Sequence, residues 1–177
     1  MKIGICGKMC SGKTTIANLI YSMDNRYEKY SFASKVKELA NELFNMKSKD
    51  RDLLINIGTK FREIDPDVWV NYIINKTKYK KYCIIDDVRY QNEVDILLQN
   101  GWVIIKLDVN KDDQINRIHK LYPNNYKTHI NNLDHFTEQN DLNYKPILNI
   151  NTSTMDINKI NHELYLLLKK NNIYKTS

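Results

Sequence analysis

The sequence predicts an α/β fold of three layers, with a mostly parallel five-stranded sheet flanked on both faces by helices. Three observations predict it. Short apolar runs alternate with segments whose apolar residues recur at helical spacing, the pattern of strands joined by helical crossovers. No internal repeat or interdomain linker interrupts the alternation, so residues 1–177 read as one domain. Chemically distinctive residues follow the apolar runs, at the carboxyl ends of strands where open parallel sheets bind ligands.

The elements follow in order. "KIGIC" is a short apolar strand, and Lys13 to Met23 is a helix with Ile16, Leu19 and Ile20 close together on its surface. "YEKYSFA" supplies a second strand. Ser34 is then the expected cap of a helix reaching about Asn45, striped by Val36, Leu39, Ala40 and Leu43. Ser48 to Phe61 carries Leu53, Leu54 and Ile57 and reads as the next helix. "DPDVW" marks another start: Asp65 as cap, Pro66 in the first helical position and Asp67 at the positive dipole end. "KYCIID" is a strand ending in acid, followed by a helix from Gln91 to Asn100 that Gly101 stops. "WVIIKLDV" is the next strand, and Asn110 caps a helix to about Leu121. A polar, Asn-rich stretch runs from Tyr122 to about Asn143. "KPILNIN" is the last strand, and Asp156 to Lys170 closes the chain with Ile157, Ile160, Leu164, Leu167 and Leu168 at helical spacing.

Composition narrows the function classes. A chain of 177 residues, 42% of them hydrophobic, can bury one good core. Its net charge of +6 suits anionic ligands. The lysines are scattered, which reads as a solvated surface, and no stable nucleic-acid binding is expected. Cys6, Cys10 and Cys83 share no repeated spacing, so no disulfide framework is expected. The start "MKIGICG" lacks the features of a signal peptide, and no window has membrane-spanning length. A soluble, cytoplasmic chain is the expectation.

Gly7, Gly12, Lys13 and Thr14 satisfy G-x-x-x-x-G-K-[ST] between a strand and a helix, the setting in which backbone N–H groups converge on phosphate. The ATP-binding set is therefore Gly7, Lys8, Cys10, Ser11, Gly12, Lys13, Thr14 and Thr15. Lys13 is expected to reach the β- and γ-phosphates, and Thr14 to hold Mg²⁺ with Asp86. A dinucleotide fingerprint needs glycines at other spacings. Asp86 and Asp87 end an apolar strand, and neighbours on a strand point to opposite faces. Asp86 is thus the metal-side candidate, and Asp87 is expected to meet the acceptor or pair with an arginine.

Arginine is scarce beside lysine, being confined to Arg26, Arg51, Arg62, Arg89 and Arg117. Planar donors suit the charge that develops during phosphoryl transfer, and Arg62, Arg89 and Arg117 join Lys13 as catalytic candidates. Trp69 offers a stacking face for a base, and its amphipathic helix equally offers it a place in the core. A phosphate monoester has a second pKa of about 6 and is already a nucleophile at neutral pH. The lack of a histidine beside the loop in sequence therefore favours a phosphate acceptor over an alcohol. The region of about 117–143, with His119, Lys120, Lys127, His129 and His135, is a candidate lid.

These segments together resemble the deoxynucleoside monophosphate kinases of bacteriophages and large DNA viruses, a branch of the P-loop nucleoside monophosphate kinases. The resemblance rests on "GKMCSGKTT", "SFASKVKELANELF", "KDRDLLINIGTKFREIDPDVWV", "IIDDVRYQNEVDIL" with "GWVIIKL", and "HFTEQND" with "ILNINTS". It implies a P-loop kinase fold and transfer of the ATP γ-phosphoryl group to a deoxynucleoside 5′-monophosphate with Mg²⁺. It implies an acceptor site formed by Phe32, Lys35, Arg51, Gly58, Thr59, Arg62, Trp69, Asp87, Arg89 and Glu93. A homodimer and a location inside a virus-infected cell are compatible with it. This chain departs from the family where "FADP" reads "FASK", losing an acidic contact at Ser34, and where His135 to Glu138 reads H-F-T-E. The alternatives are a P-loop kinase of another small molecule, such as dephospho-coenzyme A, and a non-catalytic nucleotide-binding module.

Overall fold

A computed structural model describes residues 1–131, 133 and 142–173. Its elements are β1 (Lys2–Gly7), α1 (Lys13–Met23), β2 (Glu28–Tyr30), α2 (Phe32–Phe44), α3 (Arg51–Ile64), α4 (Val68–Lys76) and β3 (Cys83–Val88). There follow α5 (Gln91–Gln99), β4 (Trp102–Asp108), α6 (Lys111–Leu121), α7 (Tyr126–Asn131), β5 (Leu148–Asn151) and α8 (Ile157–Ile173). The five strands form one all-parallel sheet in the order β2-β3-β1-β4-β5.

Side-chain alternation along the strands builds a core on each face of the sheet. Ile3, Ile5, Ile84, Ile105, Leu107 and Ile150 face one way, onto Ile16 and Ile20 of α1 and Ile160 and Leu164 of α8. Cys83, Ile85, Trp102 and Ile104 face the other way, onto Val36, Ile57, Trp69, Ile73, Val94 and Leu97 of α2 to α5. Among the described residues no helix is long and apolar enough to cross a membrane.

The departures from expectation lie at helix ends, and each has a tertiary or local cause. Helix α2 begins at Phe32, which shortens β2 and puts Ser34 inside the helix. Ser31, with extended backbone, takes the cap position, because its hydroxyl and the Phe32 and Ala33 N–H groups converge on Asp87. Helix α3 starts after Asp50, whose carboxylate accepts from the Leu53 N–H at 3.0 Å, and outlasts Phe61 to reach Ile64. Asp65 therefore terminates α3 instead of capping α4, and its carboxylate accepts from the Asp67 N–H at 2.9 Å in the intervening turn. Part of the polar stretch after Tyr122 is helical, as α7.

One irregularity positions the site. Gly4 pairs with Ile85 but Cys6 pairs with Val88, so β3 carries one residue more than β1 opposite Ile5. That bulge falls on Asp86 and Asp87, at the carboxyl end of the strand.

Candidate active site

The loop between β1 and α1 is held by side chains. Lys13 Nζ donates to the Gly7 carbonyl at 2.6 Å and the Lys8 carbonyl at 2.7 Å. From α6, Gln114 Nε2 donates to the Met9 carbonyl at 2.8 Å and Arg117 Nη1 to the Cys10 carbonyl at 3.1 Å. In a trans peptide the next N–H points opposite the carbonyl, so tethering the carbonyls of Gly7 to Cys10 also aims the amides that follow them. Gly7 cannot be replaced cheaply, because a Cβ there would lie 2.7 Å from the Leu107 carbonyl oxygen and 2.7 Å from Ser11 Oγ. Gly12, the residue before α1, has φ of 96°, a conformation that favours glycine. The Ser11 hydroxyl is fully buried with no hydrogen-bond partner among the described residues.

At the mouth of this loop Thr14 Oγ1 donates to Asp86 Oδ2 at 2.8 Å. A hydroxyl and a carboxylate so placed are hard oxygen donors that fit Mg²⁺. Among the described residues there is no cluster of three or more His, Cys, Asp or Glu side chains fit to hold a metal. An ion at this pair would complete its shell with phosphate oxygens and water, the usual arrangement for Mg²⁺.

Asp87 faces the first turn of α2. Its carboxylate accepts from Ser31 Oγ at 2.7 Å, Ala33 N at 3.0 Å and Phe32 N at 3.1 Å. It thereby caps α2. Burial raises its pKa above the usual carboxylate value, against the pull of those donors.

Beyond β3 the chain turns into α5 around Glu93, which is 2% exposed. Its Oε2 accepts from the Arg89 N–H at 2.8 Å and the Tyr90 N–H at 3.1 Å, while Oε1 lies 3.3 Å from Arg62 Nη2. Burial pushes its carboxyl up to about 6. The Arg62 guanidinium also stacks over the Tyr90 ring, 4.5 Å from its centroid, and donates to the Gly58 carbonyl at 3.3 Å. That carbonyl also accepts from Trp69 Nε1 at 3.1 Å.

Arg62, Arg89, Glu93, Gly58 and Trp69, scattered over 36 positions of the sequence, are thus one cluster. Within it Trp69 belongs to the core. It is 3% exposed, with its ring against Phe61, so the stacking face for a base is corrected to a packing face.

Other candidates are placed apart. Arg51 Nη1 donates to His129 Nδ1 at 2.7 Å, so this cation engages α7 in the candidate lid instead of the acceptor cluster. His129 is buried, and its pKa is held below the usual value by burial, then by Arg51 and Lys49. Rings also join α6 to α7, His119 with Tyr126 at 4.1 Å and Tyr122 with His129 at 4.2 Å. Lys35 pairs with Glu38 at 2.9 Å, and Phe32 is buried in the core. Lys8, Thr15 and Thr59 are exposed. Arg117 lies on α6, where it binds both the loop and Thr152, its Nη2 donating to the Thr152 carbonyl at 2.8 Å. His135 and Glu138 lie outside the described residues.

Four residues were not foreseen: Ser31, Tyr90, Gln114 and Thr152. Ser31 precedes the run "FASKVKEL", a signal that could have found the cap. Gln114 stands three before Arg117, on one helix face. Nothing local marks Tyr90 or Thr152.

Solved structures match over nearly the whole chain. Shikimate kinase from Aquifex aeolicus has 17% identity and a TM-score of 0.60, covering 98% of this chain and 99% of its own. A gluconokinase from Sinorhizobium meliloti has 13% identity and a TM-score of 0.61, covering 99% and 97%. The Mycobacterium tuberculosis APS kinase, solved with AMPPNP and APS, has 12% identity and a TM-score of 0.54, covering 95% of each chain. The chain therefore has the fold of P-loop kinases, a five-stranded parallel sheet flanked by helices. No protein-family model and no curated protein match the sequence.

Proposed function

We propose that this chain is an ATP-dependent kinase that phosphorylates a deoxynucleoside 5′-monophosphate. The observation that carries the reading is the adjacency on β3 and its exit. Asp86 reaches the donor loop through Thr14, and seven residues later Glu93 binds the Arg62 guanidinium and the backbone N–H of Arg89. The fold shared with small-molecule kinases supports phosphoryl transfer. The Arg62 guanidinium held at Glu93 and the resemblance to viral deoxynucleotide kinases support a phosphate-bearing acceptor.

In this reading the loop amides and Lys13 bind the donor phosphates, with Lys13 exchanging the Gly7 and Lys8 carbonyls for β- and γ-phosphate oxygens. Thr14 and Asp86 would hold Mg²⁺, which when bound neutralises phosphate charge. Arg62 and Arg89 hold the acceptor phosphate. Its oxygen bonds to the γ-phosphorus, and the bond from that phosphorus to the β-bridging oxygen breaks, giving ADP and a deoxynucleoside diphosphate. The acceptor is mostly dianionic above its second pKa of about 6, so the step needs no general base. Arg117 steadies the loop from α6. Closure of α7 onto α3 through His129 and Arg51 would exclude water.

The test incubates the protein with ATP, Mg²⁺ and a panel of deoxynucleoside monophosphates, ribonucleoside monophosphates and dephospho-coenzyme A, with products resolved by chromatography. A deoxynucleoside diphosphate is expected. Phosphorylation of dephospho-coenzyme A alone would establish the rival substrate class. No product from any acceptor would remove the reading.

A further inference from the structure

We infer that Gln114 is a positioning residue for the donor phosphates, acting through the backbone of the phosphate loop. This rests on the proposed ATP site and names a residue that the loop motif does not contain.

The loop has two sets of supports. Its first carbonyls, of Gly7 and Lys8, accept from Lys13. Lys13 must leave them to engage phosphate, and the Lys8 carbonyl then keeps the Ser11 N–H at 3.2 Å. The next carbonyls, of Met9 and Cys10, accept from Gln114 and Arg117, which project from α6 and do not depend on Lys13. The side-chain supports from α6 are therefore independent of Lys13. Gln114 is 5% exposed and spends its amide N–H on Met9, 105 residues away in sequence.

Its position has a geometric consequence. Fixing the Met9 carbonyl fixes the plane of the Met9–Cys10 peptide and so the direction of the Cys10 N–H. Cys10 has φ of 59°, in the left-handed region that a non-glycine residue enters only when held there. Loss of the Gln114 donor removes one of the contacts that orient the peptide before Cys10 and favours rotation of that N–H away from the phosphates. The cost falls on donor binding and spares the acceptor cluster, which α3 and α5 build without α6.

The variant Gln114→Met keeps the unbranched shape and removes the donor. ATP binding with Mg²⁺ is measured by calorimetry, acceptor KM by a coupled assay at saturating ATP, and folding by thermal melting. Loss of a hydrogen bond to a loop carbonyl predicts a Kd for ATP raised about tenfold. Acceptor KM should stay within about twofold, as sites without shared partners are independent. The variant Gln114→Glu, which presents an oxygen to the Met9 carbonyl, should weaken ATP binding further with the same selectivity. Unchanged ATP affinity in both variants overturns the inference. So does equal loss toward both substrates, or failure of both variants to fold, since either would make Gln114 a general packing residue. If the unaltered chain itself binds no ATP, the proposed function falls and this inference with it, an outcome distinct from the others.

Discussion

Replacing Glu93 with Gln should separate stability from function. The folded chain buries this carboxyl at 2% exposure and raises its pKa from 4.5 to about 6. The main cause is desolvation, which the Arg89 and Tyr90 N–H groups and the Arg62 charge only partly offset. One pKa unit corresponds to about 1.4 kcal/mol, so ionised Glu93 costs the folded state about 2 kcal/mol relative to the unfolded chain. The sign follows from proton binding. Below pH 4.5 the group is protonated in both states and this cost is absent. As pH rises toward and through about 6, the unfolded chain ionises first, and stability is lost progressively. Glu93→Gln cannot ionise, while its amide oxygen can still accept from the two N–H groups.

The stability difference, variant minus parent, should therefore rise by about 2 kcal/mol between pH 4 and pH 7.5. Urea unfolding across that range measures it. For a chain of this size the corresponding change in the difference of melting temperatures is about 4–8 °C. Asp87, also raised by burial, is common to both proteins and largely cancels in the difference. The gain at neutral pH should coincide with weaker acceptor binding, since Arg62 loses the carboxylate that orients it. A difference that stays constant with pH would show that Glu93 does not titrate as its burial implies, and would refute the reasoning.

Three further outcomes are expected. Lys13→Ala should lower kcat by about 10²–10³, the loss seen when one donor to transition-state charge is removed, with folding checked by circular dichroism; near-normal turnover would discard the loop assignment. Arg62→Ala should raise acceptor KM at least tenfold while ATP KM changes little, given that charge-assisted hydrogen bonds contribute about 1.5–3 kcal/mol; equal effects on both would count against an acceptor-side role. Trp69→Phe removes the indole N–H from the Gly58 carbonyl but keeps the aromatic packing, and should cost about 1–2 kcal/mol in denaturant unfolding; a large loss of acceptor affinity at unchanged stability would restore a base-stacking role.

What the sequence made legible was local. The strands were recognisable because parallel strands covered on both faces are continuous apolar runs, and the phosphate loop because its parts are contiguous. Helix starts differ from expectation both where the capping partner is local, as at Asp50, and where it lies far away. Ser31 rather than Ser34 precedes α2 because its hydroxyl meets Asp87, 56 residues on. Trp69 fitted a core and a base site equally, and its indole bond to Gly58, 11 residues back, favours the core. Arg51 looked like an acceptor cation, yet its partner is His129, 78 residues later. Sequence spacing identifies residue types suited to a task but does not say which charges the fold itself consumes.

The bulge in β3 sharpens how donor and acceptor would be kept in register. It falls on Asp86 and Asp87, whose side chains part to different elements, one to the donor loop and one to the first turn of α2. Backbone geometry spaces the two Cα positions, hydrogen bonds orient the two carboxylates, and Glu93 follows in the first turn of α5. Under the proposed function, the separation between the metal-side oxygen and the Arg62 guanidinium is then set largely by β3, α3 and α5. Closure of α7 would change access of water and substrate while leaving that separation alone. A weakened lid contact, such as Arg51 with His129, should accordingly increase futile ATP hydrolysis before it lowers the intrinsic rate of transfer, because exclusion of water and alignment of the phosphates depend on different parts of the fold.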